Sequence, residues 1–109
     1  MTDNALQKIK VGRFIRNNGV VIRRINILRT KYISLLSVWD VVKGDGLDEG
    51  EYLDSINFLQ ESKYIHLRHC GSKHDKLLCD SRFTELEAKL TEKGIRLLGG
   101  EFDDKMVDV

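Results

Sequence analysis

Five side chains that can ligate a metal fall within fourteen residues: His66, His69, Cys70, His74 and Cys79. Zinc takes such nitrogen and sulfur donors in a tetrahedral set. Their spacing matches no familiar finger, because no Cys-x-x-Cys pair is present. On a strand, His66 and Cys70 would share one face and His69 the other. We therefore read the cluster as polar loop residues with two reduced thiols, and expect no bound metal and no cofactor. A Cys70–Cys79 disulfide is disfavoured as well. With a turn over residues 71–75, Cys70 lies opposite Lys76 and Cys79 opposite Leu67, and disulfide geometry is demanding. Asp45, Asp48, Glu49 and Glu51 bring four carboxylates together, yet lack the ligand order and closing glutamate of an EF-hand. We read them as helix caps and a solvated turn. No glycine-rich phosphate loop, serine elbow or metalloprotease pattern occurs, so an enzyme is not expected.

The remaining chemistry is charge. The net charge is only +1, but its distribution is uneven. Residues 1–35 set Lys8, Lys10, Arg13, Arg16, Arg23, Arg24, Arg29 and Lys31 against Asp3 alone, for +7. Residues 36–63 carry −5, residues 64–82 carry +2, and residues 83–109 carry −3. A basic segment can bind phosphate. It can equally be a solvated helix face, neutralised by the acidic segment in a dimer.

Periodicity supplies the elements that would position these groups. Leu6, Ile9, Phe14 and Ile15 predict an amphipathic helix over 5–17, stopped by Asn17-Asn18-Gly19. Val21, Ile25, Leu28 and Tyr32 predict a second helix over 20–31. Ser34 caps a third, over 35–43, with Leu35, Val38, Trp39 and Val42 inward. After Gly44-Asp45-Gly46, Asp48 caps a fourth, over 49–62, with Tyr52, Leu53, Ile56 and Leu59 buried. Two helices joined by a short turn form a helix-turn-helix unit. Alternation over 64–69 reads as a strand. A turn at 71–75 and a short return strand at 76–80 follow. A further strand covers 83–90, and a last helix over 92–98 is capped by Thr91 and ended by Gly99. Residues 101–109 form an acidic tail, ordered only if it docks.

With 109 residues, 41% apolar and 32% charged, the chain reads as one small globular domain. No apolar run nears the ~20 residues of a membrane span, and Met1 to Lys10 lacks a secretory apolar stretch. We expect a cytoplasmic protein with no membrane partner.

Residues 20–100 resemble the winged helix-turn-helix superfamily, and in particular small phage- and prophage-type winged-helix proteins. The resemblance rests on Phe58-Leu59-Gln60-Glu61-Ser62-Lys63-Tyr64-Ile65 and on Ala88-Lys89-Leu90-Thr91-Glu92-Lys93-Gly94-Ile95-Arg96-Leu97-Leu98-Gly99. It implies an α+β fold, with a three-helix core, a β-hairpin wing and a short C-terminal helix; the extra N-terminal helix and turn over 1–19 precede the part that resembles it. It also implies binding of double-stranded DNA, often as a homodimer, in transcriptional control.

On that reading Arg23, Arg24, Arg29 and Lys31 grip the backbone together with Arg68, Lys73, His74 and Lys76 of the wing. Ser55 and Asn57 then reach base edges. One departure stands out. The helix corresponding to the reading helix presents Glu49, Glu51 and Asp54, and carboxylates near phosphates are repelled. A second reading follows, in which the fold is a protein-interaction module docking through Glu51, Asp54 and an exposed Phe58.

Overall fold

The computed structural model describes residues 3–109. Helix α1 spans Asp3–Asn26 and is followed by strand β1 (Ile33–Ser34), helix α2 (Leu35–Val42) and helix α3 (Glu49–Glu61). Strand β2 (Ile65–His69), strand β3 (Leu86–Leu90) and helix α4 (Glu92–Leu98) complete the order. The three strands form one antiparallel sheet in the order β1-β3-β2. The architecture is thus α+β, and its element order is compatible with a winged helix.

Alternation along the sheet decides which face is covered. Ile65, Leu67, Leu86, Ala88 and Leu90 are buried with Val21, Ile22, Ile25, Leu35, Val38, Tyr52, Ile56 and Leu59 in one core. His66, Arg68 and Lys89 take the intervening, more open positions. The Tyr52 hydroxyl donates to the Leu35 carbonyl at 2.7 Å, so even the largest core side chain is satisfied.

The expected caps are present. Ser34 Oγ accepts from the amides of Leu36 and Ser37. Asp48 and Glu51 form a reciprocal capping box. Thr91 Oγ1 accepts from Gly94 N and donates to the Lys63 carbonyl. A Cβ on Gly94 would lie 2.2 Å from the Tyr64 carbonyl oxygen, so this position has to be glycine for α4 to close on β2.

The expected break at Asn17-Asn18-Gly19 is overturned, because α1 runs through it as one helix. These residues receive the tail instead of ending the helix. Asn18 Nδ2 donates to the Met106 carbonyl at 2.9 Å, and Asp108 N donates to the Ile15 carbonyl at 3.2 Å. A Cβ on Gly19 would stand 1.8 Å from the Asp108 carbonyl oxygen. Val107 is buried, and Phe102 stacks on Tyr64 with ring centroids 6.3 Å apart. The Tyr64 hydroxyl donates to Asp104; burial and that carboxylate push its pKa up to about 12. Residues 27–30 form turns, so the second expected helix ends five residues early.

The expected return strand over 76–80 is also replaced. A single bridge, Arg68 with Asp75, is followed by a short 3-10 turn at Leu78–Asp80. Residues 83–85 form another such turn, and the strand begins only at Leu86. This segment folds back on α3. Leu78 N donates to Gln60 Oε1 at 2.8 Å, and Phe83 meets Tyr52 edge-on at 5.9 Å.

Candidate nucleic-acid interface

Helix α3 begins at an acidic capping box and packs along both flanks. Phe14 of α1 meets Phe58 edge-on, with centroids 5.4 Å apart. Phe58 is therefore half-buried against the core, and its expected exposure is overturned. Glu51 is held by Arg13 and by Asn17 Nδ2. The Arg13 hydrogen bond and the capping amide bring its pKa down to about 2, although partial burial opposes this.

Ser55 is fully buried, with an Oγ that has no hydrogen-bond partner. It lies inside the fold and cannot reach a base edge. Of the α3 residues singled out above, Glu49, Asp54 and Asn57 are exposed, and the last two lie on its outer face. Together with Gly50 and Glu61 they form the outward stripe of α3. That stripe carries no cation.

The basic residues divide into two groups. In the first, each cation already has an internal partner. Arg24 forks onto the Asp45 carboxylate at 3.1–3.2 Å, and Arg23 donates to the Asp108 carbonyl at 2.7 Å. Arg68 and Lys73 both bind Glu87 Oε1, at 2.7 and 3.0 Å. Burial pushes the Glu87 pKa up, but hydrogen bonds from Lys73 and Arg68 outweigh it and the pKa is lowered overall. Arg68 also lies over the Tyr32 ring, 3.5 Å from its centroid.

The second group includes Arg29, Lys31, Lys76 and, unanticipated from sequence, Lys89, and also Lys63, Lys10 and Arg82, the last two in clefts beside α3. None has an anionic partner among the described residues. His74 is exposed as well, and its carbonyl accepts from His69 N at 2.8 Å.

A polar string missed in the sequence runs across the outer sheet face beside Lys89. The Tyr32 hydroxyl meets His66 Nδ1 at 2.6 Å, and His66 Nε2 meets Asp75 Oδ1 at 3.0 Å. Lys89 Nζ stands 5.9 Å from the Tyr32 ring centroid. Lys31 precedes Tyr32, and Lys76 follows Asp75. The string therefore links the 27–32 turn, the outer sheet face and the wing. The one available signal was alternation along β2, which puts His66 and Arg68 on one face.

Among the described residues, no three His, Cys, Asp or Glu side chains come together to hold a metal. His69 Nδ1 accepts from the Gly71 and Ser72 amides and serves the turn. Cys70 and Cys79 are free thiols. Burial and the Glu87 charge raise the Cys70 pKa, which disfavours the reactive thiolate. No described helix is long and apolar enough to cross a membrane.

Compared with known proteins, the chain matches no family model, and no curated protein and no solved structure is detectably similar to it.

Proposed function

We propose that this chain is a non-catalytic winged-helix domain. It binds duplex DNA by the phosphate backbone, through the outer sheet face and its margins rather than through α3. The observation that carries this reading is the set of cations without internal partners. Lys89 stands by the Tyr32 ring, Lys31 and Lys76 are chain neighbours of Tyr32 and Asp75, and Arg29 lies in the turn before Tyr32, whereas the outward stripe of α3 is acidic. Phosphate contacts come from donors and cations and fix register without reading sequence. Asn57 is the one exposed amide left on α3 as a base reader. The resemblance of residues 20–100 to phage- and prophage-type winged-helix proteins supports a regulatory role, acting as a homodimer.

Fluorescence anisotropy with random-sequence duplex tests this. Binding should weaken steeply with salt, each phosphate contact contributing about 0.9 to the log–log slope. The double variant Arg29→Glu/Lys31→Glu should bind far more weakly and with a flatter slope. A slope unchanged in that variant, or no binding at low salt, would overturn the proposal.

A second reading has its own observation. Leu6, Ile9 and Val11 on the N-terminal half of α1 are 47–60% exposed. Leu6 and Ile9 are three residues apart on one helix face and form an apolar patch suited to a protein partner. Sedimentation of Leu6→Glu/Ile9→Glu separates the readings. A dimer lost in this variant assigns those residues to self-association. An unchanged mass leaves them to another protein.

A further inference from the structure

Only part of α1 packs on its own domain. In its C-terminal half Asn17, Asn18, Val21, Ile22 and Ile25 are buried. Over residues 4–13, in contrast, every residue but Ala5 is exposed. This overhang is about 15 Å of helix. Most helical stability comes from packing of an apolar face, and an interior glycine costs more still. The overhang nevertheless includes Gly12, which has no neighbour within 4 Å of a Cβ position. It also leaves Leu6, Ile9 and Val11 open, at 47%, 60% and 48% exposure.

The cleft at the root of the overhang indicates what covers it. About 240 Å³ in volume, it is lined by Lys10, Arg13, Phe14 and Asn17 of α1 and by Glu51 and Asp54 of α3. Arg13 and Asn17 both bind Glu51, so these three satisfy one another. Lys10 and Asp54 are left over. Both are exposed, one on each wall of the cleft, and neither has an ionic partner among the described residues.

A patch that offers one sign on each wall is self-complementary about a two-fold axis. Half a turn sets Lys10 of each copy against Asp54 of the other, so a single contact is made twice. The wider charge pattern agrees. Residues 4–13 carry Lys8, Lys10 and Arg13 and no acid, whereas the outward stripe of α3 carries Asp54 and Glu61 and no cation. Two overhangs packed only on each other would oppose like charges; an overhang on the partner's α3 opposes unlike ones. Leu6, one turn before Lys10 on the same face, brings apolar area to the contact. Gly50, one turn before Asp54, puts no side chain in the way of an approaching helix.

We infer that a second copy of this chain docks on the α1–α3 cleft. The overhang of each protomer lies on the acidic stripe of its partner's α3, held by two reciprocal Lys10–Asp54 ion pairs. This gives the homodimer of the reading above its interface, and it does not require DNA binding.

The test is sedimentation of the intact chain without DNA. The wild type should be a dimer. Lys10→Glu and Asp54→Lys each turn two attractions into two repulsions, and should raise the dimer dissociation constant on the order of tenfold or more. Mixed in equal amounts, the two variants should form a heterodimer, because both of its charge pairs are again unlike. The double variant Lys10→Glu/Asp54→Lys should dimerise by itself. Rescue in either form also shows that the substituted chains fold.

A wild type that stays monomeric at about millimolar concentration removes the homodimer altogether, and this inference with it. A dimer indifferent to both swaps overturns this interface alone and leaves the homodimer standing. Swaps that break the dimer without rescue on mixing overturn it too, since the two charges then do not meet across the interface. Weaker binding of random duplex by Lys10→Glu, with the mass unchanged, would reassign the overhang to the nucleic-acid surface.

Discussion

On α3 the side chains turned to solvent include Asp54, Asn57 and Glu61, whereas on the outer face of the sheet they are His66, Arg68 and Lys89, with Tyr32 laid across them. The helix is packed along both flanks, by Phe14 on one side and by Leu78 and Phe83 on the other. Only a narrow acidic stripe is left. The sheet face has no such cover, and its charges are organised around Glu87, which occupies Arg68 and Lys73. A count of basic residues therefore overstates what the protein can offer a phosphate. The useful cations are those without an internal partner; Lys89 lies on the sheet face, while Lys10 and Arg82 lie in clefts beside α3.

The largest way to break this contrast is Phe58→Ala. Full burial of a phenylalanine is worth roughly 3–5 kcal/mol on truncation, so this half-buried ring should cost about 2 kcal/mol in urea unfolding. A loss under about 0.5 kcal/mol, the range of ordinary surface changes, would mean that the α3 flank is not a packed surface.

Next comes Glu87→Gln. It leaves Arg68 and Lys73 without their carboxylate and should cost about 1–2 kcal/mol. The same change frees two cations and should tighten binding to random duplex. Lost stability with no gain in DNA affinity would remove Arg68 and Lys73 from the binding surface.

Lys63 stands where α3 ends and β2 is about to begin, between the two surfaces. Lys63→Gly relieves a left-handed conformation and should raise stability by about 1 kcal/mol. An unchanged urea midpoint would mean that the left-handed conformation costs nothing at this position.

The smallest effect is a pH dependence. The folded-state pKa of Glu51 is lowered to about 2, chiefly by its hydrogen bond from Arg13. The stability it contributes is present above the ordinary unfolded carboxylate pKa, about 4.3. That stability is lost as pH falls from there through about 2. In Glu51→Gln, unfolding followed by circular dichroism should show a flatter slope over this window. An unaltered slope would assign the acid sensitivity to other carboxylates.

Much of this was legible in the sequence, where a local rule decides the outcome. Ser34, Asp48 and Thr91 cap their helices because each needs only a side-chain oxygen and the amides two or three residues on. Alternation predicted the strand over 64–69. What stayed hidden depended on distant partners. Asn17-Asn18-Gly19 reads locally as a helix stop, yet it remains helical because Glu51 and the 106–108 segment use those residues. Ser55 is polar, yet three residues after Tyr52 and four before Leu59 it falls on the buried stripe, so spacing outweighs residue type. The fold-back of residues 78–85 depends on Gln60, a residue that carried no signal. For the candidate site, Arg29, Lys31 and Lys76 were singled out from sequence as DNA contacts, and all three are exposed. Lys89 and the Tyr32–His66–Asp75 string appear only once strand register is known.

The docking of residues 101–109 on α1 has a consequence for the order of folding. Helix α1 leaves the ribosome first, yet Arg23 bonds to a carbonyl 85 residues further along. Contacts so distant in sequence close late, since the intervening loop must be ordered before they form. Until then the strip around Ile15, Asn18 and Gly19 has no cover, and the amide of Asn18 has no carbonyl to receive it. Until residues 106–108 dock, α1 carries an open cleft, and the arrival of Val107 closes it.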